Sequence, residues 1–135
     1  MHETVRGSEL PSVMALAYLG DAAHSLYVRR MLVGRGISKS GELNRLSQLY
    51  VTAAAQAKML VKIQGELSED ELDVCRRAQN SSHLNKPKHA RLAEYRLATG
   101  FEALIGMLEW LGDFERLDCL LKIAHTEIKE NDSED

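Results

Sequence analysis

Two carboxylates sit where helical spacing leaves room for chemistry. Asp21 lies in Leu16-Ala17-Tyr18-Leu19-Gly20-Asp21-Ala22, between Gly20 and Ala22 and one turn from Ala17. Glu102 lies 81 residues further on, in Ala98-Thr99-Gly100-Phe101-Glu102-Ala103-Leu104-Ile105-Gly106, in line with Ala98, Thr99 and Gly106. Burying a carboxylate is costly unless it is paired, hydrogen-bonded or bound to a metal. Small neighbours leave space for a ligand to approach. Antiparallel packing of the two helices would allow the acids to meet, and together they would make an oxygen-donor site suited to Mg²⁺; periodicity alone does not show that they meet. Taken singly, an arginine or a backbone donor would satisfy Asp21 equally well, and Glu102 reads as a boundary glutamate.

The elements that must position these acids are helical. Apolar spacing follows the helical period nearly everywhere, and no segment alternates cleanly enough for a strand. A first helix is predicted from Pro11 or Ser12 to Arg30 or Leu32, stopping at Gly34-Arg35-Gly36, with proline well suited to a first turn. A second opens near Ser40 and covers Glu42 to Leu49. Thr52 caps an alanine-rich third helix that runs to Ile63 and ends at Gly65. Ser68-Glu69-Asp70-Glu71 reads as a capping box opening a helix to about Gln79. Asn80 to Lys88, with Pro87, is the one substantial loop. From His89 or Ala90 a long helix runs to Leu111 and closes at Gly112; Asp113 caps a last helix from Phe114 to about Lys129. The expected fold is a single all-α domain of five to seven helices over residues 1–135, with an ordered core from about 10 to 125.

The first helix is apolar over most of its circumference, with Leu16, Leu19, Ala23, Leu26 and Tyr27 on one face and Met14, Ala17, Tyr18 and Val28 on another. That pattern predicts a central helix with apolar surface to spare for an extensive interface. On the long helix, Leu97, Phe101, Leu104, Ile105 and Leu108 form the core stripe, with Glu102 at its edge.

At 135 residues, 44% of them apolar, the chain is long enough to fill its own core. With 9 glycines and 2 prolines it is neither collagen-like nor a many-turned β protein. The longest apolar run, Val13 to Leu19, is too short to span a bilayer. The N-terminus shows no export pattern, so a cytoplasmic protein without a membrane partner is expected. Cys75 and Cys119 are expected to be reduced, buried thiols. The net charge is −3, but residues 126–135 alone hold five acids and one lysine, a tail expected to fray. The other 125 residues carry 16 bases and 15 acids.

The two acid-bearing segments resemble a known family. The stretch Leu16 to Ala22 is similar to the signature helix of the ribonuclease III catalytic domain, and Ala98 to Gly106 to that domain's second metal-binding segment. Tyr95-Arg96 ahead of Ala98-Thr99-Gly100, and Arg76-Arg77 with Asn80, resemble its short bacterial Mini-III branch, which has no appended RNA-binding domain. The likeness runs from about residue 10 to 125. It implies a homodimeric endoribonuclease of double-stranded RNA in which Asp21 and Glu102 are the catalytic residues and hold Mg²⁺, with Mn²⁺ as a substitute. It also implies maturation of the 23S ribosomal RNA precursor, products with 5′-phosphate and 3′-hydroxyl ends, and a ribosomal protein or pre-ribosomal particle as partner. Two of the family's four carboxylate positions are occupied here by Ala17 and Thr99. That departure keeps a second reading open, a silent RNA-binding or ribosome-assembly module on the same fold.

Grip on RNA is expected from one basic stretch. From Val74 to Ala93 there are five bases (Arg76, Arg77, Lys86, Lys88 and Arg91), two histidines and no acid. Together with Asn80, these bases are the expected RNA-binding residues, with affinity falling steeply with salt. His24, one turn after Asp21, reads as a core or interface histidine, or as a hydrogen-bond partner of that acid. Trp110 and Phe114 read as packing residues. No HExxH, paired-Cys motif or GxSxG elbow occurs, and the tight ExxE cluster of an all-α pyrophosphohydrolase is absent around Asp21.

Overall fold

Local capping sets most helix starts, and these are where the sequence places them. The computed structural model describes residues 9–81 and 91–130. Among these residues are six α-helices: α1 (Val13–Gly34), α2 (Ser40–Val51), α3 (Ala53–Ile63), α4 (Glu69–Ser81), α5 (Leu92–Leu111) and α6 (Phe114–Ala124). A 3₁₀ turn, Gln64–Glu66, follows α3. No described residue belongs to a strand, so the protein is all-α.

The Ser12 hydroxyl accepts from the Ala15 N–H at 3.1 Å, and the Thr52 hydroxyl from the Ala55 N–H at 3.2 Å. At α4 the capping box closes in both directions. The Ser68 N–H donates to Glu71 at 2.8 Å, and the Glu71 N–H to the Ser68 hydroxyl at 3.2 Å. Asp113 caps α6 by accepting from the Arg116 N–H at 3.3 Å. Gly112 ends α5 in the left-handed region, at φ 72°, where glycine carries no side-chain penalty.

Helices α1 and α2 each run two residues past expectation, to Gly34 and Val51, and three further boundaries differ. Asn80 and Ser81 complete the last turn of α4 rather than starting a loop, and α5 begins at Leu92. The helix predicted to reach Lys129 stops at Ala124. Its last carbonyls are taken by other partners: Lys62 of α3 donates to the Ala124 and Thr126 carbonyls, and the Thr126 hydroxyl donates to Ile123 at 2.7 Å. The chain then turns, with Glu127 at φ 67°. Residues 126–130, expected to fray, are tied down instead. Glu130 pairs bidentately with Arg35 at 2.9 and 2.6 Å, accepts from the Tyr50 hydroxyl, and gives its carbonyl to Arg45.

The central helix is α5, not α1. Every residue from Ala98 to Leu108 is buried except Glu102, and α5 packs against α1, α3, α4 and α6. Helix α1 buries only the stripe through Val13, Leu16, Ala17, Gly20, His24, Val28 and Leu32. Its other apolar residues face outward, with Tyr18, Leu26 and Val33 exposed by 85%, 58% and 61%. Trp110 and Phe114 are exposed rather than packed, and Cys119 is an exposed thiol where burial was expected. No described helix is long and apolar enough to cross a membrane.

Candidate functional site

The α1–α5 crossing brings the two acids together. Its closeness depends on two glycines. A Cβ on Gly20 would lie 1.7 Å from the Glu102 carbonyl oxygen, and a Cβ on Gly106 would lie 1.8 Å from the Leu16 carbonyl oxygen. Both overlaps are with backbone, so no side-chain rearrangement relieves them. Residue numbers rise along α1 from Leu16 to Gly20 as they fall along α5 from Gly106 to Glu102, so the helices run antiparallel. Asp21 follows Gly20 directly, and its carboxyl shares a hydrogen bond with that of Glu102.

The electrostatics follow from this contact. Burial pushes the Glu102 carboxyl up to about 8, and the hydrogen bond and charge of Asp21 push in the same direction. Gln56 of α3 opposes them by hydrogen-bonding to the carboxyl. Asp21 itself is exposed. One acid is therefore open to solvent and the other sits behind it at the edge of the core. Such a pair relieves its repulsion by sharing either a proton or a cation.

The donor set fits a hard divalent cation. Two carboxylates supply oxygen ligands of the kind Mg²⁺ takes, leaving its other positions to water and substrate phosphate. No cluster of three or more His, Cys, Asp or Glu side chains arranged to hold a metal occurs among the described residues, so the pair stands without a third acid. At the positions where two further acids were expected, Ala17 and Thr99 are buried in the packing. The Thr99 hydroxyl is turned back onto its own helix, donating to the Tyr95 carbonyl at 2.9 Å.

The basic residues are more dispersed. Arg76 and Arg77 lie exposed on α4, and both pair with Asp73, at 2.5 and 2.9 Å. Their charge is thus partly neutralised by an acid just outside the acid-free stretch. Asn80 is exposed in the last turn of α4, and Arg91 is exposed immediately before α5. Lys86 and Lys88 lie outside the described residues. Helix α4 packs closely on α5, with Gly100 against Gln79 and the Cys75 carbonyl.

Behind the acids, Gln56 and His125 are not singled out by the sequence, whereas His24 is, and of its two readings it takes that of a core histidine. His24 is fully buried, and its Nδ1 lies 3.0 Å from the Gln56 amide nitrogen. Its Nε2 lies 3.0 Å from Nε2 of His125, beyond the end of α6. Gln56 stands between His24 and Glu102, hydrogen-bonded to both. The only clue in the sequence was a polar residue on an otherwise apolar face, at His24 and again at Gln56.

The ribonuclease III domain family matches residues 14–113. Mini-ribonuclease 3 of Thermoanaerobacter sp. (strain X514) is 40% identical over 119 residues, covering 88% of this chain and 84% of that protein. Mini-ribonuclease 3 of Symbiobacterium thermophilum is 44% identical over 111 residues, covering 82% and 85%. Among solved structures, the crystal structure of protein FN1578 from Fusobacterium nucleatum superposes with a TM-score of 0.76 at 31% identity. It covers 85% of this chain and 93% of that one.

Proposed function

The chain belongs to the ribonuclease III family, in its Mini-ribonuclease 3 branch, and is an endoribonuclease; from that premise we propose that it is a homodimer that cleaves double-stranded RNA with Mg²⁺ at Asp21 and Glu102. The observation that carries this reading is the meeting of these two acids at a glycine-built crossing. A divalent cation held by them would neutralise phosphate charge and make water a better nucleophile. Asp21, exposed, presents its carboxylate to the substrate side. Glu102, backed by the core, fixes the depth at which a ligand can sit. In the hydrolysis, water oxygen bonds to phosphorus as the P–O3′ bond breaks. The oxygen stays on the 5′-phosphate and a proton passes to the 3′-oxygen.

Cutting both strands of a duplex in one encounter calls for two such sites related by a two-fold axis. The exposed stripe of Tyr18, Ala22, Leu26 and Val33 on α1 is the surface on which a second copy would seat. Arg76, Arg77, Asn80, Lys86, Lys88 and Arg91 would follow the phosphates. A-form RNA is read through its shape, 2′-hydroxyls and backbone, which suits a basic stretch without a base-reading motif. The 23S ribosomal RNA precursor, free or within a pre-ribosomal particle, is the proposed substrate, and Mn²⁺ the substitute cation.

The test is cleavage of a long RNA duplex by the purified protein with Mg²⁺, mapping the product ends. Cleavage to 5′-phosphate ends, reduced by at least a hundredfold in Asp21→Asn and Glu102→Gln, is the expected outcome. Full turnover by Asp21→Asn would remove these acids from the chemistry. Binding of the duplex by the wild-type protein without cleavage would favour the silent module.

A further inference from the structure

Behind Glu102 runs a line of polar groups through the apolar core. Gln56 is 2% exposed and His24 0%, so each polar atom on them needs a partner inside the protein. The Gln56 amide nitrogen faces His24 Nδ1 at 3.0 Å, and the same side chain hydrogen-bonds Glu102. An amide NH₂ has two protons. One serves the imidazole and the other the carboxylate.

This assignment propagates outward. His24 Nδ1 accepts, so Nε2 carries the ring proton and donates to His125 Nε2 at 3.0 Å. His125 then carries its own proton on Nδ1, a buried atom with no hydrogen-bond partner among the described residues. Aromatic rings fix both imidazoles in place. Phe101, next to Glu102 in sequence, meets His24 edge-on at 5.1 Å, while Tyr27 and Tyr50 flank His125 at 5.3 and 4.8 Å. His24 of α1 and Glu102 of α5 thus meet at the one amide of Gln56, with His125 behind His24.

We propose that Gln56 is a positioning residue for Glu102, and that His24, backed by His125, holds its amide so that one N–H always points at the carboxylate. Without the ring the amide can turn over and present its oxygen, which would repel the carboxylate once it ionises to take a cation. With the ring, the carboxylate is aimed toward Asp21 before any cation arrives. Partners of this kind, one bond behind a metal ligand, typically alter metal affinity by roughly ten- to a hundredfold.

The inference rests on the reading of Asp21 and Glu102 as the cation site, and the experiment separates the two. Mg²⁺ is titrated by calorimetry into the full-length, RNA-free protein, with Tm recorded for each variant. Gln56→Leu is expected to weaken Mg²⁺ binding by roughly tenfold or more while remaining folded. His24→Phe is expected to weaken it less, and to add nothing in the Gln56→Leu background. At saturating Mg²⁺, Gln56→Leu should lower kcat and leave KM for duplex RNA unchanged. In the wild-type protein, the Gln56 side-chain amide resonance should shift with the same Mg²⁺ dependence, a readout that needs no substitution. Normal Mg²⁺ affinity in Gln56→Leu, or a Gln56 resonance unmoved through the titration, would overturn the positioning role. Normal affinity in Asp21→Asn would instead overturn the site itself.

Discussion

Gly20 and Gly106 interlock across the α1–α5 crossing, each occupying the space in which the other helix's backbone would meet a Cβ. This close approach is what brings Asp21 alongside Glu102. Gly20→Ala or Gly106→Ala must therefore push the helices apart. Overpacking of a tight core costs about 1–3 kcal/mol, occasionally more, and a clash with main chain belongs at the upper end. Urea unfolding should show that destabilisation. Mg²⁺ affinity should fall further than in a surface control of equal stability, because the acids separate.

The Glu102 carboxyl, pushed up to about 8 by burial and by Asp21, makes the cation-free protein sensitive to pH. The folded state holds a proton there that the unfolded chain releases near 4.5. Stability from this group is therefore complete below 4.5 and lost as pH rises through about 8. One proton gives a slope of at most ~1.4 kcal/mol per pH unit. Thermal melts from pH 5 to 8 should show this decline in EDTA, a flatter profile in Glu102→Gln, and recovery with Mg²⁺ at pH 8. An identical profile in wild type and Glu102→Gln would assign the decline elsewhere.

Tyr18 and Leu26, outward on α1 and two turns apart, should report on self-association. The wild-type protein is expected to sediment as a dimer at micromolar concentration. Leu26→Asp should shift it to monomer, since an unpaired charge buried at an interface costs several kcal/mol. Duplex RNA would then be nicked rather than cut through. A dimer that survives Leu26→Asp and Tyr18→Glu together would place the interface on another face.

Salt dependence discriminates among the basic residues. Arg76 and Arg77 already share Asp73, whereas no acid lies within four residues of Lys86 or Lys88 in the sequence. Releasing one phosphate from a basic side chain should lower the log–log salt slope by about one unit. Lys86→Ala/Lys88→Ala should thus flatten the slope and raise KM with kcat unchanged. Asp73→Asn, by freeing two guanidinium groups, should tighten binding at low salt. The opposite sign for Asp73→Asn would mean that the pairing orients the arginines for RNA.

Features governed by local rules were legible in the chain. Ser12, Thr52, Ser68 with Glu71, Gly112 and Asp113 each act within a turn of their own position, and each caps as its type predicts. What a residue meets across the fold was not. The end of α6 depends on Lys62, 62 residues before Ala124. Both α1 and α5 are rich in apolar residues, and composition does not say which of those residues the chain covers by itself. Asp73 pairs with Arg76 and Arg77 at helical spacings of three and four. That pairing is local and readable, yet Asp73 lies one residue before the acid-free stretch that contains the arginines. Small neighbours and the family resemblance mark Asp21 and Glu102 in the sequence. That they meet required the antiparallel glycine contact, which no periodicity encodes.

The hold on Glu130 bears on how the polypeptide can be shortened. A boundary drawn at the visible end of the last helix would discard the carboxylate that joins Arg35 to Tyr50 and the carbonyl that engages Arg45. It would also remove His125, the outer member of the histidine pair. Glu130 thus behaves as a clasp closing the molecule over its histidines, and a trimmed variant would lose activity with both acids of the cleavage site still present.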